Sequence, residues 1–98
     1  MCHNGHMSGG EEARLDTLAS AVSDATRRRI VDHLRRRSGA TTAELADLAP
    51  SVTRFAVMKH LGVLRRAGIV RTMAEGRRRR HYLERSALDP LLAWLAER

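Results

Sequence analysis

Residues 57–70 read VMKHLGVLRRAGIV, and this stretch decides the fold. Apolar residues recur in it at the spacing of one helix face, which predicts an amphipathic helix that starts near Ser51 or Thr53. Gly68 follows the last turn, where a left-handed residue commonly ends a helix. The residues after the glycine are β-branched, so the helix is predicted to lead into a strand. The apolar face consists of Val57, Leu61 and Leu64.

The residues before this helix predict a shorter helix and a tight break. Thr41 and Glu44 have the Thr-x-x-Glu spacing of a capping box, which opens a helix by pairing two side chains with free backbone N–H groups. Pro50 ends that helix because proline cannot continue it. Two short helices around a tight break form a helix-turn-helix. The residues of the shorter helix that are predicted to face inward are Leu45, Ala46 and Leu48.

Two helices are predicted upstream of the helix-turn-helix. The first starts at Glu11 and carries one apolar stripe. The second follows an N-cap at Ser23 or Asp24 and continues to about Arg36, with the arginine run 27–29 on its solvent face. The stripe of the first helix consists of Leu15, Leu18, Ala19 and Val22.

A hairpin and a last helix are predicted downstream. Strands at Ile69–Ala74 and Arg78–Glu84 flank a glycine-containing turn. The last helix follows a cap at Ser86 or Asp89, with Pro90 in its first turn, where proline is tolerated. The predicted fold is mainly α with a small β-hairpin: a winged helix-turn-helix of five helices and a two-stranded wing.

The length predicts a single domain. A chain of 98 residues holds one domain, and we assign it to residues 11–98. Residues 1–10 are predicted to be a disordered tail, part of which resembles a cloning scar because it contains Gly-His-Met. Cys2, His3 and His6 carry metal-binding groups, but a flexible tail supplies no fixed geometry for a metal ion.

The composition also bounds the compartment. No apolar run approaches the roughly 20 residues that cross a bilayer, and the N-terminus lacks the apolar segment of a secretory signal. The one cysteine cannot form an internal disulfide. These features predict a cytoplasmic protein without a membrane partner.

The positive charge is concentrated in the second half of the chain. The formal net charge is +7. Residues 1–50 contain seven arginines and seven acidic residues, whereas residues 51–98 contain eleven lysines and arginines and four acidic residues. Such an excess is typical of a protein with a polyanion partner, most often nucleic acid. A solvated arginine-rich surface is the alternative.

With these elements in this order, the sequence resembles the ArsR/SmtB family of bacterial repressors over roughly residues 13–98. The stretches that carry the resemblance are SDATRRRI (23–30), ELA (44–46), VMKHLGVLRRAGIV (57–70) and EGRRRRHY (75–82). The resemblance implies a homodimer that binds double-stranded DNA and is built from the first and last helices. Its interface residues would be Leu15, Leu18, Val22, Leu88, Leu91, Leu92 and Leu95.

The metal sites of the family are missing from this sequence. Many relatives hold thiophilic metals with Cys-x-Cys on the first helix of the helix-turn-helix, where this chain has Ala46 and Leu48. Others use Asp, His and Glu across the terminal helices, but no histidine follows His81. We therefore expect no metal and no cofactor. If DNA binding is regulated, we expect a small organic effector or a partner near the dimer seam.

The exposed side of the helix at 53–66 is the predicted DNA-reading surface, because a recognition helix presents its N-terminal residues to base edges. Arg54 can bond guanine bidentately, and Lys59 can pair with guanine or phosphate. Phe55 and Met58 replace the commoner polar residues of the family, and they can meet thymine methyl groups or pack under the wing. The set also includes Thr53, His60 in a structural or phosphate-contact role, the wing residues Arg77, Arg78, Arg79 and Arg80, and the backbone N–H groups of Thr41 and Thr42.

Catalysis has no support in the sequence, because it contains no recognisable nucleophile–base arrangement and no phosphate-cradling glycine loop. The leading hypothesis is a transcriptional repressor that binds a palindromic operator as a homodimer. The competing hypothesis is a winged-helix module that binds another protein through its last helix, or that binds DNA architecturally with little sequence specificity.

Overall fold

The computed structural model describes residues 9–97, in which four helices precede a β-hairpin and one follows it. The helices are α1 (Gly9–Ala21), α2 (Ala25–Arg36), α3 (Thr42–Ala46), α4 (Arg54–Arg66) and α5 (Asp89–Ala96), with a 3₁₀ helix at Arg85–Leu88. The strands are β1 (Ala40–Thr41), β2 (Val70–Glu75) and β3 (Arg78–Leu83). The predicted winged helix-turn-helix with five helices is confirmed. Cys2, His3 and His6 lie outside the described residues.

Side-chain caps define where the two helices of the helix-turn-helix begin. The Thr41 hydroxyl accepts from the Glu44 N–H at 3.2 Å, and the Glu44 carboxylate accepts from the Thr41 N–H at 2.8 Å. This is the capping box that the sequence predicts. The Thr53 hydroxyl accepts from the Ala56 N–H at 3.0 Å, so α4 begins after Thr53. The hydrogen bonds from Thr41 also hold the pKa of Glu44 below its ordinary value.

A glycine ends α4 and directs the chain into the sheet. Gly68 has a φ of +78°, which L side chains rarely adopt. Its N–H donates to the carbonyl of Arg65 at 2.9 Å, and the Ile69 N–H donates to the carbonyl of Leu64 at 2.9 Å. These two bonds satisfy carbonyls of the last turn in a Schellman arrangement, as the sequence predicts for this position.

The sheet has three antiparallel strands in the order β1-β3-β2, so the central strand is β3. The hairpin turns at Gly76, which has a φ of +60°. The sequence predicts a two-stranded wing, but the sheet has a third strand, β1, which pairs Ala40 with His81 and Thr41 with Arg80. Two residues are too few to show an alternating pattern, and their strand geometry comes from a partner some 40 residues away in the sequence.

The core lies where α1, α2, α3 and α4 meet the sheet. Its largest members are at most 1% exposed, and full burial of such aliphatic side chains contributes about 1.5–3 kcal/mol each. Leu18 is one of them, with 0% exposed. The prediction that Leu18 faces a second subunit is therefore corrected: it attaches α1 to the rest of the monomer. The largest aliphatic core residues are Leu18, Ile30, Leu34, Leu45, Val57, Leu61, Leu64 and Ile69.

Three helix ends differ from the sequence prediction. The helix α1 begins at Gly9, two residues before Glu11. The helix α3 ends at Ala46, so the half-buried Leu48 lies in the turn that follows. The cap of α5 is Leu88, which makes no side-chain hydrogen bond, because the preceding 3₁₀ helix delivers the chain already in helical conformation. Within residues 9–97, no helix is long and apolar enough to span a membrane.

Candidate nucleic-acid interface

A cleft of about 720 Å³ separates the helix-turn-helix from the wing. The first turns of α3 and α4 form one side, and the tip of the hairpin forms the other. The cleft thus lies beside the first turn of α4, and the N-terminal end of a helix carries partial positive charge. The cleft is lined by Thr41, Thr42, Ala43, Glu44, Arg54, Met58, Arg77, Arg78, Arg79 and Arg80.

Most of the arginines of the cleft carry uncompensated charge. Arg54, Arg77, Arg78 and Arg79 are exposed, and within the described part of the chain they take no part in an ion pair or a side-chain hydrogen bond. Guanidinium groups in this state can form charge-assisted bonds with phosphates or with guanine without first losing an internal partner. The cleft is therefore electrostatically suited to a polyanion.

Arg80 differs from the other wing arginines. Its Nε donates to the Glu75 carboxylate at 2.8 Å, and its Nη1 donates to the Gly39 carbonyl at 3.0 Å. These bonds join the tip of β2 to the loop before β1, and they leave the side chain 32% exposed. Arg80 therefore braces the wing, and its contact with DNA stays a prediction.

The threonines at the start of α3 are also occupied within the protein. The N–H of Thr41 already donates to Glu44 in the capping box, so the predicted backbone contact to phosphate has a competitor. Thr42 is buried, and its hydroxyl lies 2.8 Å from Nε2 of His81. The Thr42 hydroxyl is therefore occupied within the protein, although Thr42 also lines the cleft.

His81 is a buried polar group to which the sequence pattern assigns no role. Its Nε2 pairs with the Thr42 hydroxyl at 2.8 Å and its Nδ1 with the Thr72 hydroxyl at 2.9 Å. A neutral imidazole has one donor and one acceptor nitrogen, so one hydroxyl donates to the ring and the other accepts from it. Through these bonds His81 connects the central strand to α3 and to β2. Burial lowers its pKa, and the charges of Arg65 and Arg79 lower it further.

We predict that acidification destabilises the fold through His81. Its folded-state pKa lies below the ordinary value of 6.5, so the unfolded chain takes up this proton at a higher pH than the folded chain. The His81 contribution to stability is therefore complete above about pH 6.5 and is lost as the pH falls toward the folded-state pKa. Thermal unfolding followed at several pH values between about 7.5 and 5.5 measures this loss.

His81→Gln is the informative variant for this prediction, because an amide keeps one donor and one acceptor but does not titrate. We expect it to flatten the dependence of Tm on pH. An unchanged slope in His81→Gln would contradict the assignment.

The outer face of α4 carries large apolar groups beside one cation. Phe55 is 66% exposed and Met58 is 51% exposed. The Lys59 ammonium lies 4.9 Å from the centroid of the Phe55 ring, within the range of a cation–π contact. Gly62 follows on this side, and the Arg66 guanidinium covers it: a Cβ there would meet Arg66 Nη1 at 3.3 Å.

His60 is held by Arg27, which the sequence pattern predicts to lie on the solvent face of α2. Nη1 of Arg27 lies 3.0 Å from Nδ1 of His60, and the same guanidinium donates to two carbonyls at the end of α1. The structural role proposed for His60 thus has a partner. Periodicity could not identify Arg27, because it stands beside Arg28 and Arg29 in one run and only the tertiary fold distinguishes them.

The residues predicted for a dimer surface fall into two groups. Leu92 and Leu95 on α5 are 59% and 55% exposed, and no residue of α5 is buried. The remaining predicted residues, apart from Leu18, are half-buried: Leu15, Val22, Leu88 and Leu91. In residues 9–97 no three His, Cys, Asp or Glu side chains group in a way that could hold a metal ion.

Comparisons with known proteins agree with this geometry. Residues 22–72 match the family described as a helix-turn-helix domain. The chain is 38% identical to the HTH-type transcriptional regulator YuzN of Bacillus subtilis (strain 168), with 82% of this chain and 94% of that protein covered. Among solved structures, it superposes on the ArsR family transcriptional regulator RHA00566 with a TM-score of 0.79 and 34% identity, covering 88% and 87% of the two chains.

A further solved structure extends this similarity. The ArsR-like transcriptional regulator from Rhodococcus sp. RHA1 has a TM-score of 0.76 and 32% identity to this chain, with 90% of this chain and 81% of that one covered. This chain is therefore similar in sequence and fold to these regulators over most of its length.

Proposed function

Since the chain belongs to the ArsR family of winged helix-turn-helix transcriptional regulators, we propose that it is a repressor that binds a palindromic operator as a homodimer. The protein binds double-stranded DNA and is a regulator rather than an enzyme. The observation that supports the proposal best is the cleft between α4 and the wing, whose exposed arginines are not neutralised within residues 9–97.

The two sides of the cleft are proposed to contact different parts of the DNA. In this arrangement, α4 of each subunit lies in a major groove of the DNA, and the two α4 helices reach successive major grooves about 34 Å apart. Arg54 occupies the first helical position, from which a guanidinium can bond a guanine edge. The exposed arginines at the hairpin tip would follow phosphates or enter the adjacent minor groove.

The homodimer is supported by the apolar surface of α5. Leu92, Trp94 and Leu95 are 59%, 37% and 55% exposed on one helix, and exposed apolar side chains that are grouped in this way mark an interaction surface. A dimer also fits the length of the chain, because a domain of this size buries only a modest fraction of its surface alone. A two-fold axis through this surface would present two α4 helices to one palindrome.

An organic effector is part of the proposal if operator binding is regulated. A groove of about 400 Å³ lies between α1 and α5. Its walls combine apolar groups with two carboxylates, a lining that suits an organic molecule better than a bare metal ion. Trp94 is the single tryptophan of the chain, so its fluorescence would report on occupancy. The groove is lined by Glu12, Leu15, Asp16, Ala19, Leu91 and Trp94.

Selection from genomic DNA fragments tests the proposal. The purified protein is used to capture fragments, and the best fragment is titrated against scrambled DNA at two salt concentrations. We expect one imperfect palindrome to be enriched and to keep its preference at the higher salt concentration. Binding that vanishes with salt and shows no preference would instead favour the architectural or protein-interaction hypothesis.

Wing variants are predicted to change the salt dependence of this binding. Replacing both Arg78 and Arg79 with alanine should reduce the slope of log K against log salt by about 2 for each subunit, because each lost phosphate contact removes about 0.9. The matched control is Arg29→Ala with Arg36→Ala on α2, which removes the same charge away from the cleft. If the two double variants have equal slopes, the wing does not contact phosphate.

A further inference from the structure

Two large apolar side chains stand exposed at the part of α4 that faces DNA in the proposed function. Phe55 is 66% exposed and Met58 is 51% exposed, whereas Val57 between them is 0% exposed. Exposed apolar surface of this size gains nothing from folding, since only its removal from water is favourable. These side chains therefore contribute most when another molecule covers them.

The sequence leaves two roles open for Phe55, contact with a thymine methyl group and packing under the wing, and the structure distinguishes between them. A ring packed under the wing would be buried, yet two thirds of the Phe55 side chain is exposed. The residues that line the cleft between α4 and the wing include Met58 and Arg54 but not Phe55. Phe55 therefore lies outside the cleft, on a solvent-exposed side of the first turn of α4.

Phe55 and Met58 share one side of the helix, because they are three residues apart. Phe55 is the second residue of α4, which begins after the Thr53 cap. The first turns of a recognition helix are the part that approaches base edges. Met58, one turn further, extends the apolar surface toward the wing.

Lys59 restrains the Phe55 ring. Its ammonium lies 4.9 Å from the ring centroid, on the same side of the helix four residues later. A side chain that is restrained before binding loses less conformational entropy when it is covered. The ring is thus presented as a surface for contact rather than as a freely moving group.

We infer that Phe55, with Met58 beside it, reads the C5-methyl group of a thymine in each half-site of the operator. The inference rests on the proposed function, which places this side of α4 in the major groove. There the thymine methyl is the apolar group among the donors and acceptors of the base edges, and phenylalanine is among the residues that contact it. Arg54 beside the ring would bond a guanine, so the half-site contains a guanine next to a thymine.

Uracil substitution in the selected operator tests this inference, because uracil lacks the methyl group and keeps the hydrogen-bonding edges of thymine. Each thymine of a half-site is replaced in turn, together with its symmetry mate, and affinity is measured by fluorescence anisotropy at fixed salt. At one position we expect binding to weaken about fourfold for each methyl group removed, the factor for ~0.8 kcal/mol, and therefore about 16-fold for the pair.

The protein variant completes the test. In Phe55→Ala, the ratio of thymine to uracil affinity at that position should fall to about one, while Phe55→Leu should keep most of the preference because it keeps an apolar contact. Met73→Ala, which removes an exposed apolar side chain from the wing, is the control and should leave the ratio unchanged. Because Phe55 is exposed, we expect Phe55→Ala to keep the Tm of the original chain.

The outcomes separate this inference from the proposed function. A specific operator whose affinity is insensitive to uracil at every thymine overturns the reading of the methyl group and leaves the repressor intact. Equal weakening of thymine and uracil operators in Phe55→Ala also overturns it, since Phe55 would then act without regard to the methyl group. If the fragment selection enriches no sequence, both proposals fail together.

Discussion

Replacing Leu92 and Leu95 with glutamate should convert the protein to monomers and weaken operator binding by about 10²–10⁴-fold. Both side chains are more than half exposed on α5, and no residue of this helix is buried. Placing carboxylates in a dimer interface leaves them desolvated and without partners, and the like charges of two subunits repel each other.

The large effect on operator binding is expected because dimerisation joins the two subunits that bind the half-sites. When two half-site readers are joined, the second binds at the high effective concentration set by the first, and a monomer loses that advantage. Size-exclusion chromatography with light scattering measures the oligomeric state, and anisotropy with the selected operator measures affinity. Because neither leucine is buried in the monomer, the variant should retain the helical circular dichroism of the original chain.

Two added carboxylates also reduce the net charge, which by itself weakens binding to DNA. The matched control is therefore Arg29→Gln with Arg36→Gln, which changes the charge equally through exposed residues of α2. We expect it to remain dimeric and to lose only a small part of its affinity. A glutamate variant that remains dimeric, or a monomeric one that binds the operator normally, would refute the proposed interface.

Replacing Arg27 with alanine should lower the free energy of unfolding by about 2–3 kcal/mol and weaken operator binding as well. The Arg27 side chain donates from Nε to the Ala21 carbonyl at 2.7 Å and from Nη2 to the Ser20 carbonyl at 3.1 Å. Its Nη1 lies 3.0 Å from Nδ1 of His60. One guanidinium therefore joins the end of α1, the start of α2 and the recognition helix α4.

The predicted size of this effect follows from the bonds that are lost. Arginine only donates, so Nδ1 of His60 is the acceptor of this hydrogen bond. Without Arg27, two helix-end carbonyls and this nitrogen lose their donor, and hydrogen bonds to charged groups are worth about 1.5–3 kcal/mol each. Because water can replace part of this set in a half-buried site, we expect a loss below the sum of the three bonds, about 2–3 kcal/mol in total.

Thermal unfolding checks the prediction, with a decrease in Tm of about 10 °C or more for a domain of this size. Arg29→Ala, two residues along the same helix, is the control and should be nearly neutral. His60→Asn should be less harmful than His60→Ala, because the asparagine oxygen can replace Nδ1 as the acceptor. If Arg27→Ala is as stable as Arg29→Ala, the bonds of Arg27 to α1 and α4 contribute nothing to the free energy of unfolding.

Local chemistry made the helix-turn-helix readable from the sequence. The capping box of Thr41 and Glu44, the Thr53 cap and the left-handed Gly68 each act over three or four residues, so their spacing identifies them without knowledge of the fold. The apolar periodicity of α4 likewise depends only on the geometry of a helix. The charge excess of the second half indicated the polyanion partner for the same reason, since composition needs no structure.

Which side chains are available for a partner was decided only by the tertiary structure. Leu18 and Leu92 both lie on predicted apolar stripes, yet one is 0% and the other 59% exposed, because only the first meets the rest of the core. Arg27 and Arg80 stand in arginine runs but bond carbonyls and side chains that are distant in the sequence. The strand β1 exists because β3 pairs with it across some 40 residues.

The sequence by itself determined the helices, the caps of α3 and α4, the hairpin and the basic character of the second half, because these depend on neighbours within one or two helical turns. The tertiary structure decided the third strand, the burial of Thr42 and His81 and the bracing roles of two arginines. The physical reason is that burial and long-range hydrogen bonds depend on which distant segment arrives opposite a residue, and spacing along the chain carries no record of that partner.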